Sequence, residues 1–382
     1  MVPLQSAEPP DSRRLEIDSI LGDPGIRIVV CCGAGGVGKT TTAAALALRA
    51  AELHGRRTVV LTIDPARRLA QSLGLTELDN TPRQVKGAHL DGGDLQAMML
   101  DMKRTFDEVV LAHTDPKRAE EIFANPFYQA MSSTFSGTQE YMAMEKLGQL
   151  RATDEWDLIV VDTPPSRSAL DFLDAPARLA RFLDGRMLRL LLAPARMGGR
   201  SMFSLVSASF GLFSRTVTKI LGTQLLSELS GFVAALDSMF GGFRERAEQT
   251  YRVLQARETA FLVVAAPEPD AIREAAYFAS RLADERMPLA GMVLNRVTTV
   301  AAPLLSAADA RAAAAALSPE FGITADVLRV HAELTELRER QLSVADRFLT
   351  AYPAVPVATV PAQPADVHDL DGLRAIGDAF AA

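Results

Sequence analysis

Apolar residues gather in short, nearly unbroken runs along the chain, each followed by turn chemistry. They lie at Ile26–Cys32, Thr58–Ile63, Leu95–Leu100, Asp157–Val161, Ala260–Ala265, Ala290–Leu294 and Val355–Val360. Their β-branched content and lack of alternation predict strands buried on both faces, as in a parallel sheet. Helical spacing separates several of them, as at Thr41–Leu53 and Ala271–Arg286. Strands alternating with helices predict an α/β fold, a doubly wound and mostly parallel sheet.

Two intervals, roughly 103–155 and 177–257, are too long for ordinary crossovers and read as helical. They predict a helical subdomain inserted into a single sheet domain spanning residues 26–382, behind a flexible tail at 1–25. The insertions hold Met131, Met142, Met144, Met187, Met197, Met202 and Met239, and most of the 17 phenylalanines. Such residues at helical spacing make either a core or an adaptable apolar groove for a partner helix. The uncharged stretch Ser201–Ser214 reads as a mobile lid or a core helix, and it is too short to span a bilayer. Between the last two strands, an alanine-rich segment reads as two helices broken near Pro319 and Gly322.

Composition narrows the class. Of 382 residues, 48% are hydrophobic and 23% charged, which suits a soluble globular protein. A net charge of -7 argues against a general nucleic-acid binder. No apolar run near the N-terminus is long enough for a signal peptide. A cytoplasmic location is expected, with peripheral attachment to a membrane left open. Cys31 and Cys32 are the two cysteines, and neighbours on a strand point to opposite faces, so they read as core residues. His54, His89, His113, His331 and His368 are scattered and suggest no metal or catalytic role.

The candidate chemistry begins at "CCGAGGVGKTTTAAALALR", residues 31–49. Gly33, Gly35 and Gly38 fit a dinucleotide-binding turn, while Gly33 through Thr40 fit a phosphate loop of nucleoside triphosphatases. The backbone of Gly33, Ala34, Gly35, Gly36, Val37 and Gly38 would wrap the phosphates, with Thr41 beginning the helix. A dinucleotide site needs no lysine after the last glycine. Here Lys39 would bring a cation to the β- and γ-phosphates, and the Thr40 hydroxyl would bind Mg²⁺. Asp64 keeps the rival alive, since an acid after the second strand can bind a ribose. The strand "WDLIVVDTPP" decides it, because Asp162 at its end is the carboxylate that an NTPase uses to hold the metal's water shell. Neither the guanine motif N-K-x-D nor the transporter stretch L-S-G-G-Q is present. Asn295 can pair with an adenine edge, so the expected ligands are ATP and Mg²⁺.

Together these segments resemble the ArsA family of P-loop NTPases, which includes arsenite-pump ATPases and those delivering tail-anchored membrane proteins. The likeness runs from about Ile26 to Ala379. "GAGGVGKTTTAAALA" is similar to the family's deviant Walker A loop. "TIDPARRLAQSLG" is similar to its first switch, in which Asp64 would orient and deprotonate the attacking water. "VDTPPSRSALDFLDAP" is similar to its second switch, through Asp162, Thr163 and Pro165, with Arg167 between. "GMVLNRV" matches the segment leading to the adenine-binding Asn295, and "VATVPAQPADVHDLDGL", with Val360 and Pro361, takes the place of the loop closing over the base. The resemblance implies a dimeric ATPase that couples hydrolysis to a change in its helical subdomain. It implies a homodimer, or a heterodimer with a paralogous ATPase, and an apolar helical client or membrane-associated component.

Three departures bear on that implication. No cysteine follows Cys32, which excludes metalloid binding by thiols and a zinc staple across a dimer. Ser168 stands where the second switch usually has histidine. Ala34 stands where the family's lysine reaches across the dimer to the partner's phosphates, a charge worth about 10³–10⁵ in rate when supplied in trans. Arg167 is a candidate for part of that charge, or else a solvated arginine. Two readings follow: a competent ATPase, or a nucleotide-binding scaffold subunit with little activity alone that pairs with a lysine-bearing paralogue. A cytoskeletal-type positioning ATPase is disfavoured by the large helical insertions.

Overall fold

The computed structural model of the chain describes residues 14–64, 68–88, 92–126, 128–129, 138–164 and 245–381. All seven predicted strands form, within a few residues of the expected bounds. They are β1 (Ile28–Cys32), β2 (Arg57–Thr62), β4 (Asp94–Met99), β5 (Leu158–Asp162), β6 (Thr259–Ala265), β7 (Leu289–Val297) and β8 (Val357–Pro361). The two-residue β3 (Arg83–Gln84), antiparallel to β4, is the addition. The sheet order is β3-β4-β2-β5-β1-β6-β7-β8, and every pairing but β3–β4 is parallel. β1 is therefore central, and every residue of β1, β5 and β6 is buried. This is the doubly wound, mostly parallel α/β sheet that the alternation of runs predicts.

Helices cover the sheet, and the five-residue α3 (Arg68–Ser72) follows β2. α2 (Lys39–Leu53) follows β1 and buries Ala43, Ala44, Ala45, Leu46, Ala47, Leu48, Ala50 and Ala51. Alanine favours the helix and, being small, lets it lie close against the sheet. α7 (Pro269–Asp284) links β6 to β7. α8 (Ala307–Ala316), a short 3₁₀ turn at Pro319–Phe321 and the 30-residue α9 (Gly322–Ala351) separate β7 from β8. α10 (Leu370–Ala381) follows β8.

The expected tail at 1–25 is corrected from residue 14 onward. Arg14 bridges to Val357, and α1 (Ile17–Gly22) buries Ile17 and Leu21, with Leu15 buried beside them. Asp18 of α1 takes two hydrogen bonds of 2.7 Å from the Arg49 guanidinium of α2. Three buried apolar residues, with Ile20 partly buried beside them, are enough to dock this segment.

Two compact units divide the chain. The first comprises Met1–Met99, Leu150–Leu170 and Val253–Ala382, and holds the sheet; the second comprises Leu100–Gln149 and Asp171–Arg252. Within the second, Asp101 caps α4 (Met102–His113) and Asp115 caps α5 (Pro116–Phe123), each accepting from a backbone N–H three residues on. Met142 and Met144, on α6 (Thr138–Thr153), are core residues, fully buried. Buried Glu145 receives the Arg246 guanidinium at 2.9 Å. The expected lid or core helix at Ser201–Ser214 lies outside the described residues, as do Pro165, Arg167 and Ser168. No described helix is long and apolar enough to cross a membrane.

Candidate functional site

The site forms at the C-terminal end of the sheet, where β1 gives way to α2. The connection must turn sharply over neighbouring strands, and glycine permits it, most tightly at Gly33 and Gly38. Gly33 has φ 150°, and a Cβ there would overlap the Val264 carbonyl of β6. Gly38 caps α2 at φ 94°, where a Cβ would overlap the Asn295 carboxamide. The backbone N–H groups at the start of α2 thus face the space above the sheet, the arrangement that binds phosphate.

Lys39 is the first residue of α2 and is buried. Its ammonium donates to the Ala34 carbonyl at 2.7 Å, bridging the loop, and burial holds its pKa below the usual lysine value. Register aligns Asp162 with Cys31 of β1 on one side and Thr62 of β2 on the other. Its side chain is fully buried. Oδ2 accepts from the Thr62 hydroxyl at 2.9 Å, while Oδ1 has no hydrogen-bond partner among the described residues. Burial pushes this carboxyl up to about 6, partly offset by the Thr40 and Thr62 hydroxyls and the Lys39 charge. An orphaned carboxylate oxygen beneath a threonine at a helix N-terminus fits a hydrated divalent cation. Thr40 and Asp162 are the residues that would hold Mg²⁺ here.

Thr62 went unremarked in the sequence, yet it ties two acids together. Its hydroxyl donates to Asp162 and accepts the Asp64 backbone N–H at 3.2 Å. A threonine two residues before an acid at a strand end was the available signal. Thr163, directly after Asp162, donates its hydroxyl to the Cys31 carbonyl at 2.8 Å, pinning the segment after β5 to β1.

A cleft of about 1300 Å³ opens at Lys39, Thr40 and Asp64, while the buried Asp162, Thr62 and Thr163 are not in its wall. Gly36, Gly38, Lys39, Thr40, Thr41, Asp64, Asn295 and Pro361 line it, together with Arg68, Arg296 and the Ala362–His368 loop. Other expected ligand residues sit elsewhere. Ala34, Val37 and Val360 are buried in the core, and Gly33 and Gly35 are not in the cleft wall. Val360 points into the core because β8 still alternates there, so the wall on that side starts at Pro361. Asn295 reaches the cleft but is largely engaged. Its Nδ2 donates to the Val37 carbonyl at 2.8 Å and its Oδ1 accepts the Arg296 N–H at 2.9 Å. One amide N–H remains for a base, and the carboxamide also straps the phosphate loop to β7. Arg296 itself holds φ 64° at the cleft edge, an unusual conformation for a side chain other than Gly, Asn or Asp.

A parallel sheet with a glycine-rich loop, Lys39–Thr40 and an aspartate on the adjoining strand defines a P-loop nucleoside triphosphatase. Residues 26–303 match the model of the anion-transporting ATPases, and the chain belongs to this ArsA family. It is 27% identical to "ATPase GET3" of Malassezia globosa over 47% of this chain and 50% of that protein. It is 30% identical to a "Putative arsenical pump-driving ATPase" of Prosthecochloris vibrioformis over 41% of this chain and 37% of that protein. The likeness to "ATPase GET3B" of Arabidopsis thaliana is 22% over 92% of this chain and 82% of that protein. The matches to the first two span half or less of those relatives' length.

Proposed function

We propose that the chain binds Mg-ATP in this cleft and hydrolyses it, using the cycle to change the conformation of its helical unit toward an apolar client or partner. The observation that carries this is the convergence of Lys39, Thr40, Asp64 and Asp162 at one end of the sheet, with Asp162 buried and one oxygen unpartnered. A degenerate nucleotide site has no need of that costly buried carboxylate.

Lys39 would leave the Ala34 carbonyl for the β- and γ-phosphate oxygens. When bound, Mg²⁺ would supply positive charge to those oxygens. Asp64, lining the cleft, would accept a proton from the water that attacks the γ-phosphorus, while the bond to the β-phosphate oxygen breaks and ADP leaves. Asn295 would hold the loop and offer its remaining N–H to the base. Pro361 and the segment after it would form the base's wall.

A specific observation keeps a second reading. Ala34 is a buried methyl with 8% exposure, so this chain has no cation at that position to offer a partner's phosphates. The chain would then bind ATP as a scaffold subunit and turn over only beside a paralogue that carries the charge. No cysteine follows Cys32, so an arsenical role like that named for one relative would need ligands other than thiols.

ATP turnover by the purified chain over a range of concentrations, beside Asp64→Asn, separates the readings. The expected result is turnover that falls at least about 100-fold in Asp64→Asn with nucleotide binding retained. Tight ATP binding with no Asp64-dependent turnover would sink self-sufficiency and favour the scaffold.

A further inference from the structure

Strand order fixes which end of the cleft a base would occupy. β2, which leads to Asp64, and β7, which carries Asn295, lie on opposite sides of β1. With phosphates on the loop after β1 and the reacting end toward Asp64, the base falls toward β7 and β8. There Asn295 is held by backbone through both arms of its carboxamide. Nδ2 donates to the Val37 carbonyl at 2.8 Å, and Oδ1 accepts the Arg296 N–H at 2.9 Å. Neither partner can exchange its role, so the amide cannot turn over. A flipped group would set oxygen against carbonyl and amine against N–H.

An amide selects adenine by a double grip, its oxygen on the 6-amine and its N–H on N7. Asn295 has its oxygen engaged and one N–H to give. N7 is an acceptor in adenine and guanine alike, so a lone donor aimed at it favours neither ring. Any choice between them must come from the wall, where Pro361, Gln363 and Asp366 stand. The Pro361 carbonyl, an acceptor of fixed direction, already takes Gln363 Nε2 at 3.2 Å. Asp366 is exposed, and either ring satisfies an acceptor there, adenine through its 6-amine and guanine through N1–H and its 2-amine. Gln363 is partly buried and carries a donor and an acceptor on one amide. Its last torsion is soft and roughly two-fold. Turned one way it presents Oε1 to the amine of adenine, and turned the other way Nε2 to the 6-oxygen of guanine.

We propose that the cleft takes GTP as well as ATP, with Asn295 donating to N7 of either purine and Gln363 turning its amide to match the substituent at position 6. Gln363 is then the residue that sets specificity, and the substrate class widens from ATP to the purine nucleoside triphosphates. That widening rests on the reading of this cleft as the triphosphate site. The lack of an N-K-x-D motif is no obstacle, because that motif selects guanine and this site need only tolerate it.

The test is equilibrium binding of ATP, GTP and CTP, each with Mg²⁺, to the full chain by calorimetry. GTP is expected to bind within about tenfold of ATP, since neither purine leaves a fixed donor or acceptor unpaired. CTP has no N7 and should bind at least about tenfold more weakly than either. Replacing N7 by C–H, in 7-deaza-ATP and 7-deaza-GTP, should weaken each about threefold or more. Gln363→Glu offers acceptors alone and should move the ATP-to-GTP ratio about tenfold toward ATP. Gln363→Lys offers donors alone and should move it toward GTP. The charge that either variant adds acts on both nucleotides alike and cancels in the ratio. A Gln363 that only shaped the loop would leave the ratio unmoved. A preference for ATP beyond tenfold in the unaltered chain overturns the proposal, as does a ratio indifferent to both variants. So does CTP bound as tightly as GTP. ATP bound without GTP leaves the proposed ATPase standing, whereas binding of none of the three overturns that reading together with this one.

Discussion

At the scale of single residues, Asp162 is where stability and function pull apart. A bare carboxylate in a fully buried site is costly, and burial raises this one from 3.8 to about 6. Because the folded-state pKa is raised, the cost is full above about pH 6. It shrinks as the pH falls toward the unfolded value and is gone below about pH 4. A two-unit shift corresponds to about 3 kcal/mol at neutral pH, an order-of-magnitude figure. Asp162→Asn should therefore stabilise the nucleotide-free chain at pH 7.5 and lose about half of that gain by pH 5. It should also lose Mg²⁺-dependent stabilisation by ATP. Thermal unfolding of both proteins from pH 5 to 8, with and without Mg-ATP, measures this. Parallel curves for the two without ligand would show that Asp162 is already neutral or solvated.

At the scale of elements, the sheet was legible because strands buried on both faces are written as unbroken β-branched runs. No other element demands that pattern over so few residues. Two-residue β3 carries no such run, since its pairing to β4 is imposed by the fold. That Lys39, Thr40, Asp64 and Asp162 would gather at one end of the sheet was legible because the resemblance to a phosphate loop and its switches fixes residue type and spacing. The strap from Asn295 to Val37, and the cleft wall after Pro361, join segments far apart in sequence and depend on strand order. The same holds for α1, whose few apolar residues matter only because α2 lies beneath them. Burying a leucine or isoleucine is worth about 1.5–3 kcal/mol each. A chain cut after Gly22 loses Leu15, Ile17 and Leu21, and should unfold at a clearly lower denaturant concentration. Asp18→Asn should cost only about 1 kcal/mol, because Asp18 is 39% exposed and its pair with Arg49 is screened by solvent. Equal midpoints for the cut and intact chains would mean that α1 contributes nothing.

At the scale of the whole molecule, the proposed cycle requires that a nucleotide in one unit be felt in the other. All residues lining the cleft belong to the unit that holds the sheet. The chain leaves that unit at Leu170, eight residues after Asp162, and enters the helical unit at Asp171. In the proposed cycle a change at the buried carboxylate would pass along this covalent connection, on which Thr163 is the first anchor. Its hydroxyl bond to the Cys31 carbonyl ties the path to β1, the strand that carries the phosphate loop. Thr163→Val keeps the shape of that side chain and removes the bond. The variant should bind ATP within about threefold of the unaltered chain, since no phosphate or base contact is lost. Hydrogen exchange should then distinguish the two. In the unaltered chain, Mg-ATP should alter exchange both around the cleft and in residues 100–149 and 171–252. In Thr163→Val the cleft response should persist while the response of the helical unit weakens. A full response in both proteins would mean that coupling bypasses Thr163, whereas no response in the helical unit of either would mean the nucleotide acts on the sheet unit alone.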